Sequence, residues 1–139
     1  MKKAIIIYQS KKGTTRALSN EIGRFLEIKG INTEVVSLEN YDYRDLSLYE
    51  YVFLGCWTKG LMVIAQRPDK TWKKFIKSVD IPEKAKVCLF TTYKFATGTM
   101  FSQMRKSFNG TTNSTYLKIK SKNGSLSNGN ARLIDYYVS

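Results

Sequence analysis

Six consecutive residues, Ser10-Lys11-Lys12-Gly13-Thr14-Thr15, gather the groups that hold a phosphate. They bring hydroxyls, two ammonium groups and a glycine that lets the backbone come close to an anion. A β-branched run, Ile5-Ile6-Ile7-Tyr8, precedes them, and an amphipathic helical pattern begins near Thr15. A strand end, a donor-rich loop and a helix N-terminus in that order form an anion cradle. The single glycine rules out G-x-G-x-x-G, and no G-K-[ST] follows the four-residue spacer of a P-loop. The same layout also serves as a plain strand-to-helix turn, so the surrounding elements must decide between the two.

Other chemistries are excluded at once. The chain has no histidine, which removes the commonest general base and the commonest zinc ligand, and with them any Ser-His-Asp or Cys-His mechanism. Cys56 and Cys88 lie within or at the end of apolar runs and read as buried free thiols. No metal site is expected. No apolar run approaches the roughly 18 residues of a membrane span. Met-Lys-Lys-Ala-Ile-Ile-Ile-Tyr is too short for a signal peptide and reads as a first strand, so a cytoplasmic protein without membrane contact is expected.

The elements that must position the loop alternate along the chain. Strands are predicted over 2–8, 32–38, 51–56, 86–92 and 115–121. Helices are predicted over 15–29, from Pro68 to Val79, over about 100–108 and over 129–138. The first helix carries Leu18, Ile22 and Leu26 on one face. The third, about 100–108, has Phe101, Met104 and Phe108 in line. A tyrosine-rich connector, 40–49, makes a weak helical link between the second and third strands, in an order β-α-β-α-β-α-β-α-β-α. Alternation of this kind predicts a single α/β domain with a parallel sheet and helices on both faces. Strands one, three and four are continuously apolar, as central parallel strands are. Strand two is mixed, and strand five alternates Leu117 and Ile119 with lysines, a usual guard on an edge. Two edges and three centres fit the order 2-1-3-4-5. Its switch point sets the loop after strand one beside the loop after strand three, where ligands of such sheets bind.

With these loops side by side, the chain resembles the flavodoxins over its whole length. Ser10, Gly13 and Thr15 match the family's T/S-x-T-G-x-T loop for the phosphate of flavin mononucleotide (FMN). Gly55-Cys56-Trp57-Thr58-Lys59-Gly60 is similar to the loop that sets a tryptophan over the flavin ring. Thr92-Tyr93-Lys94-Phe95 is similar to the S-Y-x-aromatic stretch on the ring's other face. The resemblance implies a flavodoxin-like three-layer sandwich and an FMN site drawn from Ser10, Lys11, Lys12, Gly13, Thr14 and Thr15 in the first loop. It adds Cys56, Trp57, Thr58, Lys59 and Gly60 in the second, and Thr91, Thr92, Tyr93 and Phe95 in the third. It also implies a peptide flip near Lys59-Gly60 on reduction, and electron transfer in which no side chain performs acid–base catalysis.

Charge sets this sequence apart from the family. The net charge is +12, with 8 basic and 7 acidic residues up to Thr58 but 15 basic and 4 acidic residues after it. Flavodoxins are usually acidic, and here Lys11, Lys12, Lys59, Arg67 and Lys94 stand in the corresponding loops. Ammonium groups near the flavin favour its reduced, anionic form, so a reduction potential less negative than in acidic relatives is expected. The same field implies a redox partner with an acidic docking surface and salt-sensitive association. Small basic flavodoxin-like proteins resemble those accompanying bilirubin reductases, which implies a tetrapyrrole reductase as that partner. A monomer without a nucleic-acid partner is expected. Two other readings stay open: an FMN-dependent NAD(P)H oxidoreductase, and a basic binding module without FMN.

Overall fold

The computed structural model describes residues 2–61, 64–94, 97–106 and 116–139, with the backbone alone described over 59–61 and 64–67. Strand β1 (Lys3–Gln9) is buried from Ala4 onward. It pairs in parallel with β2 (Asn32–Ser37) on one side and β3 (Tyr51–Trp57) on the other. Beyond β3 the sheet passes through β6 (Lys86–Thr92) to β7 (Tyr116–Ser121), in the order β2-β1-β3-β6-β7. Counted within this sheet, the order is the predicted 2-1-3-4-5. β4 (Lys59–Leu61) and β5 (Ile64–Arg67) form a separate antiparallel pair, Lys59↔Arg67 and Leu61↔Ile64.

Among the described residues, four α-helices cover the sheet. α1 (Thr14–Ile28) lays Leu18, Ile22 and Leu26 on Ala4, Ile6 and Phe53. It closes in a Schellman turn, where Gly30 N–H donates to Glu27 O at 2.9 Å and Ile31 N–H to Leu26 O at 3.0 Å. α4 (Asn128–Val138) joins the same layer through Ile134 and Val138. Its N-cap is Ser127, whose hydroxyl accepts Asn130 N–H at 3.1 Å. The opposite face carries α2 (Lys70–Ser78) and α3 (Met100–Lys106). There Trp72, Phe75, Ile76, Met100 and Met104 pack on Ile5, Ile7, Leu54 and Leu89. Odd and even residues of β1 thus serve different layers, which is why the strand reads as one unbroken apolar run.

Two local readings change. α3 buries Met100 and Met104 while Phe101 is only partly covered, so the buried stripe is offset by one residue from the Phe101–Met104 line; Phe108 lies outside the described residues. The connector between β2 and β3 holds only one short 3₁₀ turn, Leu38–Asn40. Aromatic contact fastens it to α2 instead, with Tyr41 edge-on to Phe75 at 5.6 Å between centroids.

Candidate functional site

The carboxyl ends of β1, β3, β6 and β7 converge on one cleft of about 380 Å³, within the range of small-molecule sites. Lys11, Lys12, Thr14 and Thr15 line it from the loop after β1, and Trp57 and Thr58 from the end of β3. Thr92 lines it from the end of β6, Tyr93 and Lys94 from the loop that follows, and Lys122 from the turn after β7. The lining therefore carries four lysines, and no carboxylate among the described residues.

One end of the cleft is built by α1. Gly13, the N-cap, has φ +96°, a conformation that strains any residue with a Cβ. The first-turn N–H groups of a helix have no acceptor within it. Ser10 Oγ accepts two of them, Gly13 N–H at 3.0 Å and Arg16 N–H at 3.3 Å. Those of Thr14 and Thr15 remain without an intrahelical acceptor, at the positive end of the helix dipole. Ser10 therefore shapes the loop from within, and the cleft receives the next two residues.

Threonine hydroxyls bind the loops to one another. Thr15 Oγ1 and Thr92 Oγ1 lie 2.7 Å apart in the interior, joining the start of α1 to the end of β6. Thr91 Oγ1 donates to Cys56 O at 2.6 Å and so accepts from Thr58 Oγ1 at 2.8 Å. Thr58 N–H donates to Thr92 O at 2.8 Å, continuing the β3–β6 ladder into the loop.

Two half-buried aromatic rings face this frame, each with a lysine over it. Lys11 Nζ is 4.7 Å from the Trp57 ring centroid, and Lys120 Nζ is 5.8 Å from that of Tyr93, both within cation–π range. Cys56 lies beneath the cleft, fully buried, its Sγ 3.5 Å from Gln9 Oε1. Burial pushes its thiol up to about 12, so it is a protonated core group at neutral pH. Cys88 is also free and buried.

The structure thus brings together Lys11, Lys12, Thr14, Thr15, Trp57, Thr58, Thr92 and Tyr93 at the cleft. Ser10, Gly13 and Thr91 support it, and Cys56 sits in the core. Lys59 and Gly60 belong to β4, where only the backbone is described, and Phe95 lies outside the described residues. Lys122 was missed as a site residue. Its only signal was a position just after the last strand, which the order 2-1-3-4-5 sets beside strand four. Among the described residues no group of His, Cys, Asp or Glu could hold a metal ion, and no helix is long and apolar enough to cross a membrane.

A parallel, doubly wound sheet with a helix N-terminus, lysines and two aromatic rings at its switch point has the layout of the nucleotide-binding α/β proteins. The family model for flavodoxins matches residues 6–126, and the chain belongs to that family. Its cofactor is FMN, and family and fold support an FMN-binding electron-transfer role. Solved structures with the same fold include a short-chain flavodoxin associated with an atypical PDU bacterial microcompartment. That one is 13% identical, covers 99% of this chain and 94% of that one, and has a TM-score of 0.72. A flavodoxin from the domain Archaea shares 20% identity over 97% and 92% of the two chains at TM-score 0.59. Two-electron reduced Megasphaera elsdenii flavodoxin shares 20% over 94% and 98% at 0.63. No curated protein matches the sequence.

FMN needs an anchor for a dianion and flat surfaces for its ring. The Thr14 and Thr15 amides with Lys11 and Lys12 suit the first need, and the Trp57 and Tyr93 rings suit the second. The residues present fit the group.

Proposed function

We propose that this chain carries electrons on FMN for a partner reductase with an acidic docking surface. It does so as a monomer in the cytoplasm, where free thiols such as Cys56 and Cys88 persist. The observation that carries the reading is the cleft lining, four lysines and two aromatic residues with no carboxylate among the described residues. In this proposal the Thr14 and Thr15 amides and the Lys11 and Lys12 ammonium groups hold the phosphate. Trp57 and Tyr93 flank the ring, and the Thr58–Gly60 backbone supplies a movable carbonyl at its edge. Ser10, Gly13, Thr91 and Thr92 fix these groups in place. The bound flavin supplies the redox chemistry; the chain supplies position and charge. As partner class we put forward a reductase of a tetrapyrrole such as bilirubin, on the likeness to small basic flavodoxins that accompany such enzymes.

The test is a titration of the purified protein with FMN, followed by potentiometric reduction. Stoichiometric binding and a low potential less negative than that of acidic flavodoxins are expected. Absence of binding would return the chain to the reading of a basic module, and rapid NAD(P)H oxidation by the holoprotein would make it a reductase in its own right. A second expectation concerns the partner. Electrostatic steering should make the association rate fall about tenfold or more between low and physiological salt, measured by stopped flow. A rate indifferent to salt would remove the acidic docking surface from the proposal.

A further inference from the structure

We infer that Lys122 is a specificity-determining residue of the cleft, a cation at its anion end that favours a phosphorylated flavin over an uncharged one. The inference rests on the FMN reading above. Its ground is the way the turn after β7 is built. Ser121, buried at the end of β7, gives its carbonyl to Tyr93 N–H at 3.2 Å. Its hydroxyl accepts Gly124 N–H at 3.1 Å and donates to Ser125 O at 2.9 Å, closing the turn on itself. Further on, Leu126 N–H donates to Glu21 Oε1 on α1 at 3.3 Å.

Between these ties, Gly124 is pressed against the first turn of α1. It has φ +81°, and a Cβ there would lie 2.8 Å from Thr14 O and 3.2 Å from Thr14 Cγ2. One side of the turn hangs from the Tyr93 loop and the other rests on Thr14. Lys122 stands between the two and lines the cleft with Thr14, Thr15, Lys11 and Lys12. Its backbone is fixed, and its side chain is exposed.

An ammonium acts as a point charge, needing no fixed geometry to attract a phosphate dianion. It offers little to riboflavin, which has the same ring and no phosphate. Lys122 therefore selects by ligand charge, through a loop outside the three that the flavodoxin resemblance brings to FMN.

The experiment measures FMN and riboflavin dissociation constants by flavin fluorescence for the whole chain, Lys122→Ala and Lys122→Arg, at several salt concentrations. Lys122→Ala should weaken FMN roughly three- to tenfold at low salt, as for a screened charge pair. Riboflavin should stay within about twofold, and Lys122→Arg should keep FMN near wild type. The dependence of log Kd on log salt for FMN should also flatten in Lys122→Ala, which decides the matter where riboflavin binds too weakly to measure. Equal losses for both ligands would make Lys122 a builder of the turn and overturn the inference, as would an unchanged FMN constant and salt slope. In either case a wild type that binds FMN leaves the cofactor reading standing. A wild type that binds neither flavin overturns both.

Discussion

Gly55→Ala lowers the melting temperature by about 10 °C. Gly55 lies in β3 directly beside Phe90 of β6, and a Cβ at Gly55 would sit 2.1 Å from two atoms of the Phe90 ring. The ring cannot step aside, because Phe90 is fully buried in the layer under α1 and α4. Overpacking of this sort costs about 3 kcal/mol, the upper part of the usual range, and a domain of this size loses a few degrees per kcal/mol. Thermal unfolding followed by circular dichroism measures it. Gly55→Ala with Phe90→Leu should recover part of the loss, since the two sites share one contact. A single variant as stable as wild type would mean that the ring has room that the packing does not show.

Trp57→Ala weakens FMN binding by about 10- to 100-fold. Ring-on-ring stacking contributes roughly 1–3 kcal/mol in comparable aromatic contacts, and Trp57 offers the largest flat surface lining the cleft. Trp57→Phe should keep most of the affinity. Trp57 also packs partly against the core under α2, so both variants are compared by melting temperature as well as by flavin titration. Undiminished affinity in a folded Trp57→Ala protein would exclude stacking on this ring.

The architecture was legible because three strands advertise burial on both faces and two advertise an edge, so order follows from composition. Loop positions then follow from order. What escaped the sequence has no local signature. Neither Lys59–Leu61 nor Ile64–Arg67 alternates over enough residues to announce the β4–β5 pairing. Thr15 meets Thr92 across 77 positions, and nothing near either residue announces the other. Cys56 adjoins Trp57 in sequence, and only its complete burial in the core under α2 separates it from the cleft lining. Lys122 reads in the sequence as one more lysine of a guarded edge, and its turn is held to the cleft by contacts distant in sequence, Ser121 with Tyr93 and Gly124 with Thr14.

The threonine contacts of the loop frame carry a further consequence. Because Thr15–Thr92 and Thr58–Thr91 fasten three loops through the protein's own hydroxyls, the walls of the cleft do not depend on a guest for their shape. Little ordering entropy then remains to be paid when one arrives. A frame already set is also one that shifts little when the charge inside it changes, and dipoles fixed in advance spare the energy of rearranging them. In the electron-transfer role that family and fold support, such stiffness would leave movement on reduction to the Lys59–Gly60 peptide beyond the threonine contacts and keep reorganisation small.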